Sequence, residues 1–402
     1  MHSKLLLISY NFYPNSIAGS LRFSHLSKYL ENKGFDISVL TINKNKIVTK
    51  DPNLIHGGKI YRTGIYPSLP LKYDKLLIRK YRRFLFKFLP IDSQVGWVIP
   101  ALFKAISLVK KKKFDKIIVT GPPFSSFLIA YFCSVLFNVD LIVDYRDPWF
   151  IWDNYSSFFR AKIKLRKVNF FIERKILKHA WKIVFNTKRT LQSYLKQFPD
   201  IENKSFVISN AFNEKKIITE KKINSEKIII LYAGIFYGER KLNYLYKPLK
   251  RIFEEKIIDR NKLEIHVFGK VPKDDWELLK DYSLSDIVTE HNRVEYEKIL
   301  SFMKGADILY LAQGYDHRHC VPYKIIDYLS VKKPILALTP SKSATHELME
   351  QVDCGEAPEI SSENEIYTAL VKLINKKKYT FNGVEKYTWT NITNEYASIL
   401  KN

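Results

Sequence analysis

The residues best suited to chemistry lie in the second half of the chain, after predicted strands and at the start of a predicted helix. Gly234 follows an apolar strand, and Arg240 comes six residues later. Glycine lets the backbone approach a ligand closely, and a guanidinium neutralises phosphate oxygens. Lys324 and Asp327 are three residues apart, so their side chains share one face near the start of a helix. This pattern predicts a diphosphate site in which the carboxylate binds ribose hydroxyls.

Two other interpretations apply to the same region. A surface helix with an ion pair between Lys324 and Asp327 would also explain their spacing. His317, His319 and Cys320 are residue types that bind metals, but their spacing supplies no fourth ligand. No metal site is therefore predicted.

The first half of the chain also places polar residues after predicted strands. Gly19 lies at the start of a predicted helix, where free backbone N–H groups suit a phosphate or a sugar hydroxyl. An ordinary strand–helix turn is the alternative. Arg146 and Asp147 follow another strand, where clustered charges would orient a polar substrate. An internal ion pair between these two residues is the alternative for that loop.

Alternating strands and helices must position those residues. Strands that are apolar on both faces and alternate with helices predict a parallel sheet covered on both sides. The pattern occurs twice, so we predict an α/β protein with two Rossmann-like domains, 1–212 and 227–385, facing a central cleft. A linker rich in Lys and Glu, 213–226, separates them, and a final helix, 386–402, is a candidate to cross back to the first domain. The predicted strands are Leu5–Ser9, Asp36–Ile42, Lys116–Thr120, Leu141–Tyr145, Ile183–Asn186, Phe206–Ser209, Lys227–Ala233, Leu263–Phe268, Asp307–Ala312 and Pro334–Leu338.

Length and composition agree with this organisation. A chain of 402 residues suits two domains, and 46% hydrophobic with 27% charged residues excludes disorder as the main state. The 66 Lys and Arg against 41 Asp and Glu give a net charge of +25, which favours anionic partners. No basic, aromatic-interleaved recognition motif accompanies that charge, so no nucleic-acid partner is expected. The three scattered cysteines fit a reduced compartment.

In order and spacing, these segments resemble a retaining glycosyltransferase of family 4 with the two-domain GT-B architecture. The resemblance covers nearly the whole chain. One motif matches a subgroup with an Asp-x-Arg-Asp-Pro-Trp stretch. The segments that carry the resemblance are Gly19-Ser20-Leu21-Arg22, Asp144-Tyr145-Arg146-Asp147-Pro148-Trp149, Tyr232-Ala233-Gly234 with Arg240, and Pro322-x-Lys324-x-x-Asp327-Tyr328-Leu329.

The resemblance implies a role for each matching residue. Arg240 and Lys324 would hold the diphosphate of a nucleotide sugar, with UDP as the expected nucleotide. Asp327 stands in place of the second glutamate of the family motif and would bind ribose. His319 stands in place of the first glutamate, which contacts the donor sugar in the family; His319 or a neighbour, Asp316 or His317, would take over that contact.

The remaining implied roles concern loops and the acceptor side. Gly19 would approach the phosphates, and Gly234 and Gly269 would line the donor site, with the base held between Gly269 and the loop 290–294. The predicted catalytic residues are Arg240, Lys324, His319, Arg146 and Asp147. No metal ion or cofactor is required, because protein cations stabilise the leaving diphosphate.

The implied reaction transfers a sugar to a glycan or a polyprenyl-diphosphate-linked acceptor in bacterial surface polysaccharide synthesis, of capsule or O-antigen type. Two alternatives are a sugar-nucleotide 2-epimerase with the same GT-B fold and a non-catalytic polyanion-binding protein. The epimerase is disfavoured because the donor-site pattern of that family is not found. The polyanion-binding alternative rests on the net charge alone.

Four segments bear on location. The amino terminus has no secretory signal, which predicts a cytoplasmic protein. Residues 72–89 mix cations with Leu, Phe and Tyr at helical spacing, as in an interfacial helix on an anionic membrane; a packed helix with a solvated basic face is the alternative. The stretch 159–182 has a similar composition. The apolar segment 124–139 is shorter than the ~20 residues of a membrane span, so a buried helix is predicted.

Overall fold

Two parallel-sheet units make up the structure, a computed structural model that describes residues 3–47, 50–52, 54–66, 91–151, 163–214, 218–223 and 226–401. The first unit comprises residues 1–210 together with 389–402, and the second comprises 211–388. Every strand pairing in both sheets is parallel. The predicted α/β fold with two Rossmann-like domains is confirmed.

The sheet of the first unit has seven strands in the order β3-β2-β1-β4-β5-β6-β7. Chain order reverses at β1, so β1 and β4 form the switch point at which loops of such sheets diverge. The strands are β1 (Lys4–Ile8), β2 (Asp36–Ile42), β3 (Lys59–Thr63), β4 (Lys116–Gly121), β5 (Asp140–Tyr145), β6 (Lys182–Phe185) and β7 (Ser205–Val207). The described helices are α1 (Ala18–Asn32), α2 (Val98–Lys112), α3 (Ser125–Phe137), α4 (Ile163–His179), α5 (Lys188–Leu195) and α12 (Trp389–Lys401).

The sheet of the second unit has six strands in the order β10-β9-β8-β11-β12-β13. The switch point lies between β8 and β11. The strands are β8 (Ile228–Ala233), β9 (Leu263–Phe268), β10 (Val288–His291), β11 (Ile308–Ala312), β12 (Ile335–Leu338) and β13 (Gly355–Glu356). The described helices are α6 (Tyr246–Glu254), α7 (Lys273–Asp281), α8 (Tyr296–Gly305), α9 (Tyr323–Val331), α10 (Ala344–Val352) and α11 (Glu363–Ile374).

The central strands are apolar on both faces because each face contacts a separate core. In β8, Ile230 and Tyr232 belong to one buried cluster, whereas Ile229 and Leu231 belong to another. Alternate residues of a strand point to opposite faces, so helices cover both sides of the sheet. This double burial fixes the strand register, and with it the positions of the loops at the strand ends.

Three predictions about membrane-related segments have different outcomes. Residues 72–89 lie outside the described part of the chain. The basic stretch 159–182 contains α4. The apolar segment 124–139 forms α3, a helix of 13 residues that is buried on one side and exposed at Phe132, Val135 and Leu136, so the prediction of a buried helix holds for its inner side only. Among the described residues, no helix combines the length and apolarity needed to cross a bilayer.

Candidate functional site

Two glycines meet at the carboxyl ends of β8 and β9 in the second unit. The N–H of Gly234 donates to the Phe268 carbonyl at 3.0 Å, and φ of Gly234 is +141°, which favours glycine. A Cβ atom on Gly269 would overlap the Gly234 carbonyl oxygen. Because neither residue has a side chain, the two loops can approach each other, and the backbone at the strand ends stays uncovered.

Lys324 lies beside these glycines, in the first turn of α9. Its Nζ is 3.9 Å from the centre of the Tyr232 ring, and a Cβ atom on Gly234 would overlap this ammonium group. Burial, and then the positive charge of Arg240, lower the pKa of Lys324 to about 7. Asp327 opposes part of this shift, because its negative charge favours the ammonium form of Lys324.

Arg240 is the second cation of the site. Its guanidinium carbon is 4.4 Å from the centre of the Tyr237 ring, and its backbone N–H donates to the Tyr237 carbonyl at 3.0 Å. Within the described part of the chain, neither Arg240 nor Lys324 forms a salt bridge, and the buried Arg240 Nε has no acceptor. Two neighbouring cations that form no salt bridge suit a ligand with two negative charges.

Asp327 is held by a tyrosine that the sequence analysis did not identify. The Tyr296 hydroxyl, on the first residue of α8, donates to Asp327 Oδ1 at 2.5 Å. Asp327 lies one turn after Lys324 on α9, so the carboxylate and the ammonium group belong to the same helix start. The hydrogen bond restricts the rotamer of Asp327, whose side chain is one methylene shorter than glutamate.

A buried glutamine supports the loop that carries His319. Gln313 directly follows β11 and is fully buried; its Nε2 donates to the carbonyls of His317 at 2.8 Å and Cys320 at 2.7 Å. The Thr339 hydroxyl donates to Gln313 Oε1 at 3.1 Å and connects this loop to the end of β12. His319 itself is 7% exposed. Gln313 could have been identified in the sequence as a polar residue at the carboxyl end of an apolar strand.

The segments predicted to hold a base lie together at the end of β9 and β10. The Phe268 and His291 rings stack with centres 4.5 Å apart, and the Gly269 N–H donates to the His291 carbonyl at 3.1 Å. Lys270 and Glu290 form a salt bridge of 2.6 Å across the same two loops. The loop after β10 is therefore fixed next to Gly269.

In the first unit, Arg146 and Gly19 are in contact. The Arg146 guanidinium donates to the carbonyls of Gly19 and Pro122, and a Cβ atom on Gly19 would lie 2.6 Å from Arg146 Nη1. Glycine at position 19 thus makes room for a guanidinium at the ends of β4 and β5. Hydrogen bonds to these carbonyl oxygens hold the Arg146 guanidinium, rather than the ion pair with Asp147 that was the alternative.

The buried ion pair of this region joins Arg22 to Asp144. Arg22 Nη2 is 2.9 Å from Asp144 Oδ2, both side chains are at most 2% exposed, and Arg22 also donates to the Ile208 and Ser209 carbonyls. Trp149, the other end of the same motif, is buried with its ring stacked on Phe124. Asp144 and Trp149 are therefore structural, and Asp147 is the half-buried carboxylate of the motif.

No cluster among the described residues has the composition of a metal site. Groups of three or more His, Cys, Asp or Glu side chains that would hold an ion do not occur in this part of the chain. His317, His319 and Cys320 do not form such a group. The ligand chemistry of the described site is that of cations, backbone N–H groups and one fixed carboxylate.

Sequence comparison matches residues 22–216, just under half of the chain, to the family model of Glycosyltransferase Family 4. Among curated proteins, the sequence has no significant match. The matched segment contains Arg22, Asp144, Arg146 and Asp147.

Several solved structures share the fold over the full chain at low sequence identity. Sucrose-phosphate synthase from Thermosynechococcus elongatus has a TM-score of 0.71 at 15% identity, covering 100% of this chain and 98% of its own. A TarM variant of S. aureus in complex with fondaparinux, alpha-GlcNAc-glycerol and UDP has a TM-score of 0.61 at 13% identity, and the match covers 100% of both chains. UDP-GlcNAc 2-epimerase from Methanocaldococcus jannaschii has a TM-score of 0.57 at 15% identity, and the match covers 100% of this chain and 99% of its own. The two units together therefore have the GT-B fold.

Proposed function

We propose that the protein is a retaining glycosyltransferase that moves a sugar from a nucleotide diphosphate sugar to a glycan or lipid-linked acceptor. The family 4 match of residues 22–216 supports glycosyl transfer, and the GT-B fold of the whole chain is compatible with it. UDP is the proposed nucleotide, since UDP is bound to the structurally similar TarM variant. The proposed setting is bacterial surface polysaccharide synthesis of capsule or O-antigen type, at the cytoplasmic side of the membrane.

The observation that carries the proposal is the pair of neighbouring cations, Arg240 and Lys324, neither of which forms a salt bridge in the described part of the chain. When the bond between the sugar C1 and the phosphate oxygen breaks, positive charge grows on the ring and negative charge on the diphosphate. Fixed cations stabilise this developing negative charge without reorganisation. The acceptor oxygen forms the new bond to C1, its proton passes to the departing diphosphate oxygen, and the configuration at C1 is retained.

The other residues are assigned by what they contact. Asp327, held by Tyr296, accepts hydrogen bonds from the ribose hydroxyls, and the stretch from Phe268 to Gly269 with His291 holds the base. His319 contacts the donor sugar in place of the family glutamate. Gly234 and Gly269 admit the diphosphate by leaving backbone uncovered. In the first unit, Arg146 and Asp147 are assigned to the acceptor.

Substitution of the two cations tests this assignment. We expect Arg240→Ala and Lys324→Ala to lower turnover by roughly 30- to 1000-fold, corresponding to ~2–4 kcal/mol of barrier, while circular dichroism stays unchanged. Donor identity is established first by a thermal-shift screen with UDP-, GDP-, ADP- and CMP-sugars. Lys298→Ala, at an exposed lysine of α8, is the matched control and keeps full activity. Wild-type turnover in either cation variant would refute the site.

A 2-epimerase is the second candidate, because a UDP-GlcNAc 2-epimerase shares the fold. An epimerase inverts C2 of the sugar nucleotide in the absence of any acceptor, whereas a transferase consumes donor productively only with an acceptor. Incubation with UDP-GlcNAc alone, followed by NMR of the sugar, separates the two. Formation of the C2 epimer without acceptor would replace the transferase proposal.

A further inference from the structure

The outer side of three neighbouring helices in the first unit is apolar and exposed. α2, α3 and α4 cover the same face of the sheet, since their inner residues share one buried cluster. α3 contacts α4 through a hydrogen bond of 2.8 Å between Ser134 and His179 and through the edge of the Tyr131 ring. Together the outer sides of these helices form one surface, here called the outer helix face. Its exposed apolar side chains are Ile99, Phe103, Phe132, Val135, Leu136, Val168 and Phe171.

Burial of an apolar side chain is favourable, and these large side chains stay in water. Phe103 is 71% exposed, Leu136 is 62% exposed and Phe171 is 60% exposed. The outer side of α3 has no charged residue to interrupt it, because none occurs in the whole helix. An extended, exposed apolar surface of this kind marks an interaction site for another protein or for a membrane.

The same helices carry exposed cations. Lys110 and Lys111 of α2 are exposed, and α4 contains six lysines and arginines, among them the exposed Lys167, Arg174, Lys175 and Lys178. The three helices contain a single acid, Glu173, which is fully buried and accepts a hydrogen bond of 2.5 Å from the Tyr194 hydroxyl. The outer helix face therefore presents apolar and positive groups with no exposed acid on these helices.

From this surface we infer that the outer helix face binds a bilayer that contains anionic lipids. Apolar side chains enter the boundary between headgroups and acyl chains, and lysines and arginines contact the phosphates. A second copy of this chain would meet the face with the same positive charge, and the net charge of +25 opposes such pairing. A nucleic acid would satisfy the cations but would leave Phe132 and Leu136 in water.

Vesicle flotation tests the inference with the full chain and no sugar nucleotide, so its outcome is independent of the proposed reaction. The chain is expected to float with vesicles of phosphatidylcholine and about 30% phosphatidylglycerol, and not with phosphatidylcholine alone. Phe132→Ser combined with Leu136→Ser should lower partitioning by about tenfold or more. UDP binding and circular dichroism of this variant should match the wild type, because both residues are exposed and belong to the first unit, whereas the residues assigned to UDP belong to the second.

A pair of charge variants separates this face from general electrostatic attraction. Arg174→Gln with Lys175→Gln removes two charges from α4 and should lower partitioning by about tenfold or more. Lys247→Gln with Lys250→Gln removes the same charge from exposed positions of α6, in the second unit, and should have little effect. Equal losses in the two charge variants, or unchanged binding of the serine variant, would overturn the inference. A dimer in sedimentation that the serine variant dissociates would also overturn it.

Discussion

Lys324 combines a positive charge with an environment that disfavours it. Burial and the charge of Arg240 lower its pKa to about 7, and the face of the Tyr232 ring supplies only part of the lost solvation. A diphosphate between the two cations would reverse this effect, because an opposite charge favours the ammonium form. The unliganded site is thus poised to take up a proton together with an anion.

This coupling predicts a pH-dependent affinity for UDP. Lys324 is charged below its pKa and loses its proton above it, so binding should be tightest near or below pH 7. Above that pH we expect Kd to rise by about tenfold per pH unit, with uptake of close to one proton. Isothermal titration calorimetry between about pH 7 and pH 9, in buffers of different ionisation enthalpy, measures both quantities.

Lys324→Met is the control for this pH profile. The variant should bind UDP weakly and with a flat profile over the same range, because the titrating group is gone. If the variant keeps the wild-type slope, another group takes up the proton, and the assignment of Lys324 to the diphosphate is wrong.

Sequence reasoning identified the charged residues of the candidate site more readily than the residues that hold them. Arg240, Lys324 and Asp327 are polar residues near strand or helix ends, and their types alone indicated chemistry. Tyr232 and Gln313 act through packing and through hydrogen bonds to distant backbone, which a local pattern does not contain. The pairing of Arg22 with Asp144 joins residues 122 positions apart and needed the structure.

At the scale of elements, the site depends on how closely the ends of β8 and β9 approach. Their paired register runs to Ala233 and Phe268, so Gly234 and Gly269 come directly after the last pair. The backbone of both residues is then available at the edge of the sheet where parallel strands end. Any side chain at position 269 must push the Gly234 carbonyl away.

Gly269→Ala should therefore destabilise the second unit and weaken UDP binding together. The methyl group overlaps backbone, which cannot rotate away as a side chain can, so we expect a loss of about 1–3 kcal/mol in the free energy of unfolding. Urea unfolding and UDP titration measure the two effects. Gly238→Ala is the control: Gly238 also has positive φ, +55°, but a Cβ atom there meets nothing within 4 Å. Equal destabilisation in both variants would show that backbone strain, not the close approach, is decisive.

The predicted strands in the middle of each sheet were confirmed, whereas several strands at the sheet edges were not predicted. Asp36–Ile42 and Leu263–Phe268 have the predicted bounds. β3, β10 and β13 were not predicted, and all three are edge strands. An edge strand has one neighbour and partly exposed side chains, so it lacks the continuous apolar run that marked the buried strands.

At the scale of the whole molecule, the chain begins in the first unit and returns to it at its end. Trp389, at the start of α12, is 1% exposed and stacks on His25 of α1 with ring centres 5.1 Å apart. Farther along α12, the Tyr396 hydroxyl is 3.3 Å from Asp144 Oδ2, the carboxylate that also holds Arg22. The last helix thus contributes both a buried ring and a polar contact to the unit that contains Arg146.

Trp389→Ala should destabilise the first unit selectively. Removing a buried tryptophan leaves a cavity and costs about 3–5 kcal/mol, and the loss should appear where its neighbours are. Hydrogen exchange measured by mass spectrometry should speed up in α1 and β5 and stay unchanged in β8 and β9, since these strands belong to the other unit. Asn394→Ala, at an exposed position of the same helix, should leave exchange unchanged throughout. Uniformly faster exchange in both units of the tryptophan variant would mean that they unfold as one block, and α12 would then stabilise the whole chain.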